Sequence, residues 1–248
     1  MHRILAIGNS FSEDATYFLH DIGQRSGVEN EVINLYIGGC SLERHWMNIE
    51  EDACEYQFQL NGRKTDRYVS IKEVLQERKF DVIVTHQASY DSGWEDTYEP
   101  FLGLIISYLR EQSEAGIFLN QTWAYEKNSR HGNFMRYNRN QQEMFRALVQ
   151  AYGNAAQRHG LPLIKSGGVI QKLRENSFFN GDFRFITRDG FHLNYLYGRY
   201  AIALLWAKEL MGVDSMDNDF VPHVDFMDFE KADEQIIRYI KKIVAEIV

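Results

Sequence analysis

Proline and cysteine are scarce in this chain of 248 residues, which holds 3 prolines (Pro100, Pro162, Pro222) and 2 cysteines (Cys40, Cys54). With so little proline and no Ser/Gly/Pro-rich stretch, nothing marks a linker, and a single domain over 1–248 is expected. Two cysteines cannot build a disulfide framework, and two free thiols are the simpler reading. No C-x-x-C and no His/Cys ligand spacing occurs, which argues against structural zinc. Positive charge is also short: 27 Lys and Arg stand against 35 Asp and Glu, for a net charge of -8. That balance disfavours nucleic acid as a partner, because phosphate contacts need a basic surface, and it disfavours an anionic membrane. No apolar run is long enough to span a bilayer. The N-terminus enters Ile4-Leu5-Ala6-Ile7 without a basic n-region or a cleavage site. The expected location is cytoplasmic, and a chain trimmed of a signal peptide would read the same way. G-x-G-x-x-G, G-x-x-x-x-G-K-[ST] and H-E-x-x-H are all missing, so no cofactor and no metal is expected.

What is present is a regular alternation of short apolar runs and longer helical patterns. At 44% hydrophobic residues, a sizeable core is within reach. Strands are expected at Ile4 to Ile7, Glu31 to Ile37, Asp81 to Thr85, Gly116 to Thr122 and Leu161 to Lys165. Helices are expected at Asp14 to Ser26 (Asp14 as N-cap, Gly27 as stop), Leu42 to Ala53, Ile71 to Arg78, Tyr98 to Gln112, Met135 to His159, Tyr195 to Met211 and Phe229 to Val248. Residues 56–69 alternate apolar and polar around Asn61-Gly62, a hairpin signal read as a small two-stranded insertion. Continuously apolar strands alternating with helices imply a parallel sheet covered on both faces. The expectation is an α/β protein, a three-layer α/β/α sandwich with a five-stranded parallel sheet in flavodoxin-like order.

In such sheets, sites lie at the carboxyl ends of the strands. Polar clusters fall there: Gly8-Asn9-Ser10, Gly38-Gly39-Cys40-Ser41, His86-Gln87-Ala88-Ser89 and Trp123-Ala124-Tyr125. A serine in a strand-to-helix turn can project its hydroxyl at the rim, and Ser10 is so placed. The plainer reading of Ser10 is a helix N-cap. Ser12, a rival nucleophile, is better suited to capping ahead of Glu13-Asp14. A neutral imidazole can accept a serine proton if a carboxylate on its other nitrogen fixes the tautomer. Asp189 stands at i−3 of His192 and can reach it in a turn. The plainer reading is a local Asp/His turn that leads into the helix after Asn194.

The order of these segments resembles the SGNH or GDSL-type hydrolase superfamily over about Arg3 to Trp206. Gly-Asn-Ser-Phe-Ser, Gly-Gly-Cys-Ser-Leu-Glu and Asp-Gly-Phe-His-Leu look like a poorly characterised branch of it. The resemblance implies catalytic Ser10, Asp189 and His192, with the oxyanion held by the N–H groups of Ser10 and Gly39. Two departures stand out. Asn9 replaces the aspartate of Gly-Asp-Ser. The third block lacks its usual asparagine, and Gln87 is the nearest side-chain amide; the likeness to carbohydrate O-acetylesterases implies it as a third donor.

The implied function is a metal-independent serine esterase acting on short acyl groups, including O-acetyl groups of carbohydrates. Its partner is then a small-molecule or glycan ester. Trp46, Tyr90, Trp123 and Tyr125, with Trp94, lie near the expected rim and are candidate sugar platforms, or else packing residues. His45 and His86 read as structural polar residues. Arg130-His131 and Arg136 to Arg139 form a basic patch that suits an anionic group or a solvated loop. Gly167-Gly168 is a weak phosphate signal. Rival readings are a lipid or thioester hydrolase, and an SGNH scaffold that binds glycans without turning them over.

Overall fold

A computed structural model describes residues 1–180, 185–227 and 231–247. The first strand, β1 (His2–Gly8), carries Ile4, Leu5, Ala6 and Ile7 with no exposure on either face, as a central parallel strand requires. Then follow α1 (Ser10–Thr16), α2 (Leu19–Arg25), β2 (Asn30–Tyr36), α3 (Leu42–Glu50), the hairpin β3 (Tyr56–Leu60) and β4 (Arg63–Val69), and α4 (Ile71–Glu77). Next come β5 (Val82–Thr85), α5 (Phe101–Gln112), β6 (Gly116–Asn120), α6 (Gln141–His159), β7 (Leu163–Ile164), α7 (Ser166–Leu173), α8 (Tyr197–Met211) and α9 (Glu234–Glu246).

The sheet corrects the expected one. It is 7-stranded and mixed, in the order β4-β3-β2-β1-β5-β6-β7. The strands β2-β1-β5-β6-β7 are parallel to one another, the flavodoxin-like order. The hairpin is not a separate insertion: β3 pairs antiparallel with β2, Leu35 opposite Phe58, and so extends the sheet. Period-two alternation reports which face a side chain takes, not which strand lies alongside.

From β1 the chain crosses one way to β2 and then back across the sheet to β5, β6 and β7. Right-handed crossovers therefore divide the helices between the two faces. Accordingly α8 packs against α1, α2, α7 and α9, while α3 packs against α5. Most of α8 is buried around its full circumference, which makes it the central helix of its layer.

Several expected boundaries shift. The helix placed at Asp14 to Ser26 is two, α1 and α2, and α1 starts at Ser10 with Asn9 as its cap. Asp14 is therefore no cap, and Ser12 lies inside α1, donating from Oγ to the Asn9 carbonyl. Gly27, at φ +74°, does end α2's turn. The helix placed at Met135 to His159 begins only at Gln141, because Asn138 and Arg139 take φ +53° and +52° and Asn140 caps the new start. The fifth parallel strand is just 2 residues long. Gly167 presents no phosphate nest: its N–H donates to the Gln121 carbonyl, and a Cβ there would fall 2.2 Å from the Thr122 oxygen. Phe229, the expected start of the final helix, lies outside the described residues. Both cysteines are free, Cys40 buried and Cys54 exposed.

Candidate active site

The site is built at the carboxyl end of β1. A Cβ on Gly8 would sit 2.4 Å from His86 Nε2 and 2.6 Å from Ser12 Oγ, so only glycine fits where the strand turns into α1. Asn9 follows in extended conformation. Its Oδ1 accepts from Phe11 N–H at 3.0 Å, and its Nδ2 donates to the Cys40 carbonyl at 3.0 Å. This gives the missing aspartate a reason: a carboxylate could cap α1 equally well, but it has no proton for Cys40. The same bond brings the Gly8-Asn9-Ser10 turn alongside Gly39-Cys40. Gly39 takes φ +63°, and its carbonyl accepts from Tyr90 Oη at 3.1 Å.

Ser10 Oγ lies 2.9 Å from His192 Nε2, and His192 Nδ1 lies 2.6 Å from Asp189 Oδ2. The other carboxylate oxygen, Oδ1, accepts the backbone N–H of His192 at 2.8 Å and of Phe191 at 3.2 Å. Partial burial raises the Asp189 pKa, but the His192 side chain and these N–H groups outweigh it and hold the carboxyl below its ordinary value. A hydroxyl bonded to an imidazole whose far nitrogen faces a carboxylate can pass its proton to the ring.

The turn bearing Asp189 and His192 is anchored from three sides. The Trp123 indole N–H donates to the Phe191 carbonyl at 2.7 Å, and its ring stacks on Phe11 at 4.1 Å, 2° from parallel. The Gly190 carbonyl accepts Glu126 N–H, and Gly190, at φ +94°, packs against Ser129. On the third side is Asp14, fully buried. It accepts Leu193 N–H at 2.9 Å, Arg188 Nη1 at 2.9 Å and Arg199 Nε at 2.8 Å. Sequence reading took Asp14 for a cap and passed over both arginines. The available signal was a carboxylate within the apolar stripe Phe11, Ala15, Phe18, where only a paired charge is tolerated.

Two expectations for the site are corrected. Gln87 is not free to meet an oxyanion. Its Oε1 accepts Leu42 N–H and Ala88 N–H at 3.0 and 2.8 Å, and its Nε2 donates to the carbonyl and hydroxyl of Thr97 at 2.9 and 3.2 Å. It fastens the third block to the start of α3 and to the segment before α5. Trp123 and Tyr125 are not sugar platforms, since both have 0% exposure; Tyr125 packs against Phe134, His131 and Phe191 and bonds Ser89 Oγ. Trp46 is half-buried on α3 against the core. Tyr90, half-buried and bonded to the Gly39 carbonyl, is the one of the four that is both partly exposed and tied to a site segment.

The basic patch divides. Arg136 pairs with Asp91 at 2.7 Å and lies over the Trp94 ring, whereas His131 packs edge-on against Phe191. Burial, and then the neighbouring His192, lower the His131 pKa. His45 and His86 are buried behind the site; burial pushes them down to about 3 and about 4, with the charges of His86 and Arg44 adding to the effect on His45. Among the described residues no cluster of His, Cys, Asp or Glu forms a metal site, and no helix is long and apolar enough to cross a membrane.

The family model described as a domain of unknown function (DUF4886) matches residues 3–234. A DUF4886 family protein from Bacteroides uniformis superposes with a TM-score of 0.88 at 35% identity, covering 98% of this chain and 93% of that one. A proposed SGNH hydrolase from Slackia heliotrinireducens gives 0.59 at 19% identity, covering 85% and 99%. The acetyl xylan esterase AlAXEase gives 0.58 at 17%, covering 83% and 98%. No curated protein matches. With a serine, a histidine and an aspartate meeting at the carboxyl end of a sheet of this topology, the likeness to SGNH hydrolases is one of fold; the family match runs almost end to end, and the chain belongs to the DUF4886 family.

Proposed function

We propose that this protein is a serine esterase that removes short acyl groups, O-acetyl groups of carbohydrates among them. The observation that carries this reading is the unbroken hydrogen-bonded line Ser10–His192–Asp189, with steps of 2.9 and 2.6 Å. Ser10 Oγ attacks the ester carbonyl while His192 Nε2 takes its proton. His192 returns that proton to the leaving alcohol, and Asp189 fixes the ring and balances its charge. Water then enters by the same proton relay and releases the acid. The oxyanion falls to the N–H groups of Ser10 and Gly39, neither of which has a protein acceptor among the described residues. The resemblance in fold to acetylxylan esterases supports the choice of acyl group.

A second reading, a glycan-binding scaffold of weak or no turnover, draws on one observation: the third-block amide, Gln87, is wholly engaged within the protein. Loss of one oxyanion donor typically costs about 10²–10³ in rate. Fluorophosphonate labelling followed by intact mass, with Ser10→Ala alongside, separates the two. One adduct on the wild type and none on Ser10→Ala supports the esterase; a folded wild type that takes no adduct supports the binder. Comparing 4-nitrophenyl acetate with longer acyl esters tests the lipid or thioester alternative.

A further inference from the structure

Asp14 uses only part of each arginine it holds. Arg188 gives Nη1 and Arg199 gives Nε, and the remaining nitrogens of both have no protein acceptor among the described residues. Both guanidinium groups line a cavity of about 460 Å³, within the roughly 300–1,000 Å³ usual for small-molecule sites. Arg63 and Lys64, from the tip of the β3–β4 hairpin, form another wall. The tip is held there tightly, since a Cβ on Gly62 would strike the Tyr17 carbonyl at 2.2 Å. Arg63 lies 5.0 Å over the Tyr17 ring and has no carboxylate partner among the described residues.

The charges indicate what fits. The four cations face Glu13, bound to Lys64 at 2.8 Å, Asp14 behind the arginines, and Asp225 at the mouth. Among the described residues the four positive groups exceed the three negative ones by one, which suits one further negative charge rather than two. Guanidinium forks suit a planar carboxylate, which they can grip by two parallel N–H groups. Tyr195 lies between Arg188 and Arg199, at 4.7 and 4.8 Å, and meets Phe226 edge-on at 5.0 Å. Phe226 is 63% exposed, so a large aromatic face borders the charged wall. Charge beside an exposed aromatic is the pairing a sugar acid needs, with its carboxylate on the forks and the apolar face of its ring on the aromatic.

Two lining residues of the cavity, Arg188 and Glu13, belong to the segments that carry Ser10, Asp189 and His192. Arg188 immediately precedes Asp189, its N–H bonds the His192 carbonyl at 2.9 Å, and Glu13 lies one helical turn beyond Ser10. We propose that this cavity is a carboxylate subsite, and that the ester presented to Ser10 is carried by an acidic glycan containing uronic-acid residues. The assignment of substrate rests on the esterase reading above; the subsite itself does not.

The test is calorimetric titration of Ser10→Ala with trigalacturonate and with the neutral galactotriose, at low and high salt. Tenfold or greater preference for the acidic trimer is expected, weakening with salt. Adding Arg63→Ala should reduce binding of the acidic trimer about tenfold, while Arg146→Ala, on the exposed face of α6, should not change it. Thermal unfolding checks that each variant is folded. Equal affinity for the two trimers, or indifference to Arg63→Ala, overturns the proposal. So does displacement by inorganic phosphate at lower concentration than by acetate, which would assign the cavity to a phosphoryl group. Wild-type turnover of 4-nitrophenyl acetate without trigalacturonate binding defeats the subsite alone; binding without turnover or a fluorophosphonate adduct defeats the esterase alone and leaves an acidic-glycan binder.

Discussion

The carboxylate of Asp14 accepts the backbone N–H of Leu193 at 2.9 Å, one residue past His192. Since α1 begins at Ser10, this bond ties the helix behind the serine directly to the turn behind the histidine. The two arginines hold Asp14 in place for it, so the relative position of Ser10 and His192 is set by a buried ionic cluster rather than by loop packing alone.

Asp14→Asn keeps the shape and removes the charge between Arg188 and Arg199. Breaking a buried pair from one side typically costs about 3–5 kcal/mol. Chemical denaturation should show a loss of that order, and fluorophosphonate labelling of the remaining folded protein should slow. A variant as stable as the wild type would remove the clamp from the account of the site.

Asn9→Asp introduces the aspartate of the Gly-Asp-Ser pattern that this segment resembles and is nonetheless expected to destabilise this protein. It retains the cap on Phe11 N–H but turns an acceptor toward the Cys40 carbonyl. A buried acceptor left without its donor costs about 1–3 kcal/mol. Denaturation midpoints of the two proteins, at equal m-value, give the comparison; an equal or higher midpoint for the variant would count against the role given to Nδ2.

Trp123→Phe keeps an aromatic ring against Phe11 and removes the indole bond to the Phe191 carbonyl. A stability loss of about 1–2 kcal/mol is expected, with no selective loss of affinity for any glycan. Normal stability together with impaired sugar binding would return Trp123 to the substrate.

Stability should fall on acidification through two buried histidines. His45 and His86 are held down to about 3 and about 4 when folded, by burial first of all. In the unfolded chain they titrate near the ordinary histidine value, roughly 6.5. Below that pH the unfolded state binds more protons, so stability rises with pH across the window from about 4 to 6.5. Between pH 7.5 and 5.5 the two groups together account for a loss on the order of 3 kcal/mol. Denaturant titrations at those two pH values check this, and His86→Asn, if it folds, should lower the slope.

The meeting of Ser10, His192 and Asp189 was legible in the sequence because each part is local. Ser10 follows an apolar strand at once, and Asp189 reaches His192 within one turn. The alternation of strands and helices likewise pointed to the parallel strands. What stayed hidden depends on distant partners. Gln87 looked like a free amide because Leu42 lies 45 positions away, and Asp14 looked like a cap because Arg188 and Arg199 lie 174 and 185 positions away. Trp123 and Tyr125 looked like platforms because aromatic residues at a strand end carry no sign of whether a later turn will cover them. The hairpin was visible from Asn61-Gly62, but its pairing with β2 was not.

The seven-stranded sheet ends differently on its two sides, and both ends discourage growth. At one margin β4 carries Arg63, Lys64, Asp66 and Arg67, charges that an incoming strand would have to cover. At the other, β7 pairs through only 2 residues, too short a template to recruit another chain. Exposed strand edges are the usual starting points of aggregation, and charge and brevity are two ways of blunting them. The margin that bears the arginine over Tyr17 is thus also one that resists edge-to-edge association, so replacing its charges to alter ligand choice would weaken that resistance at the same time.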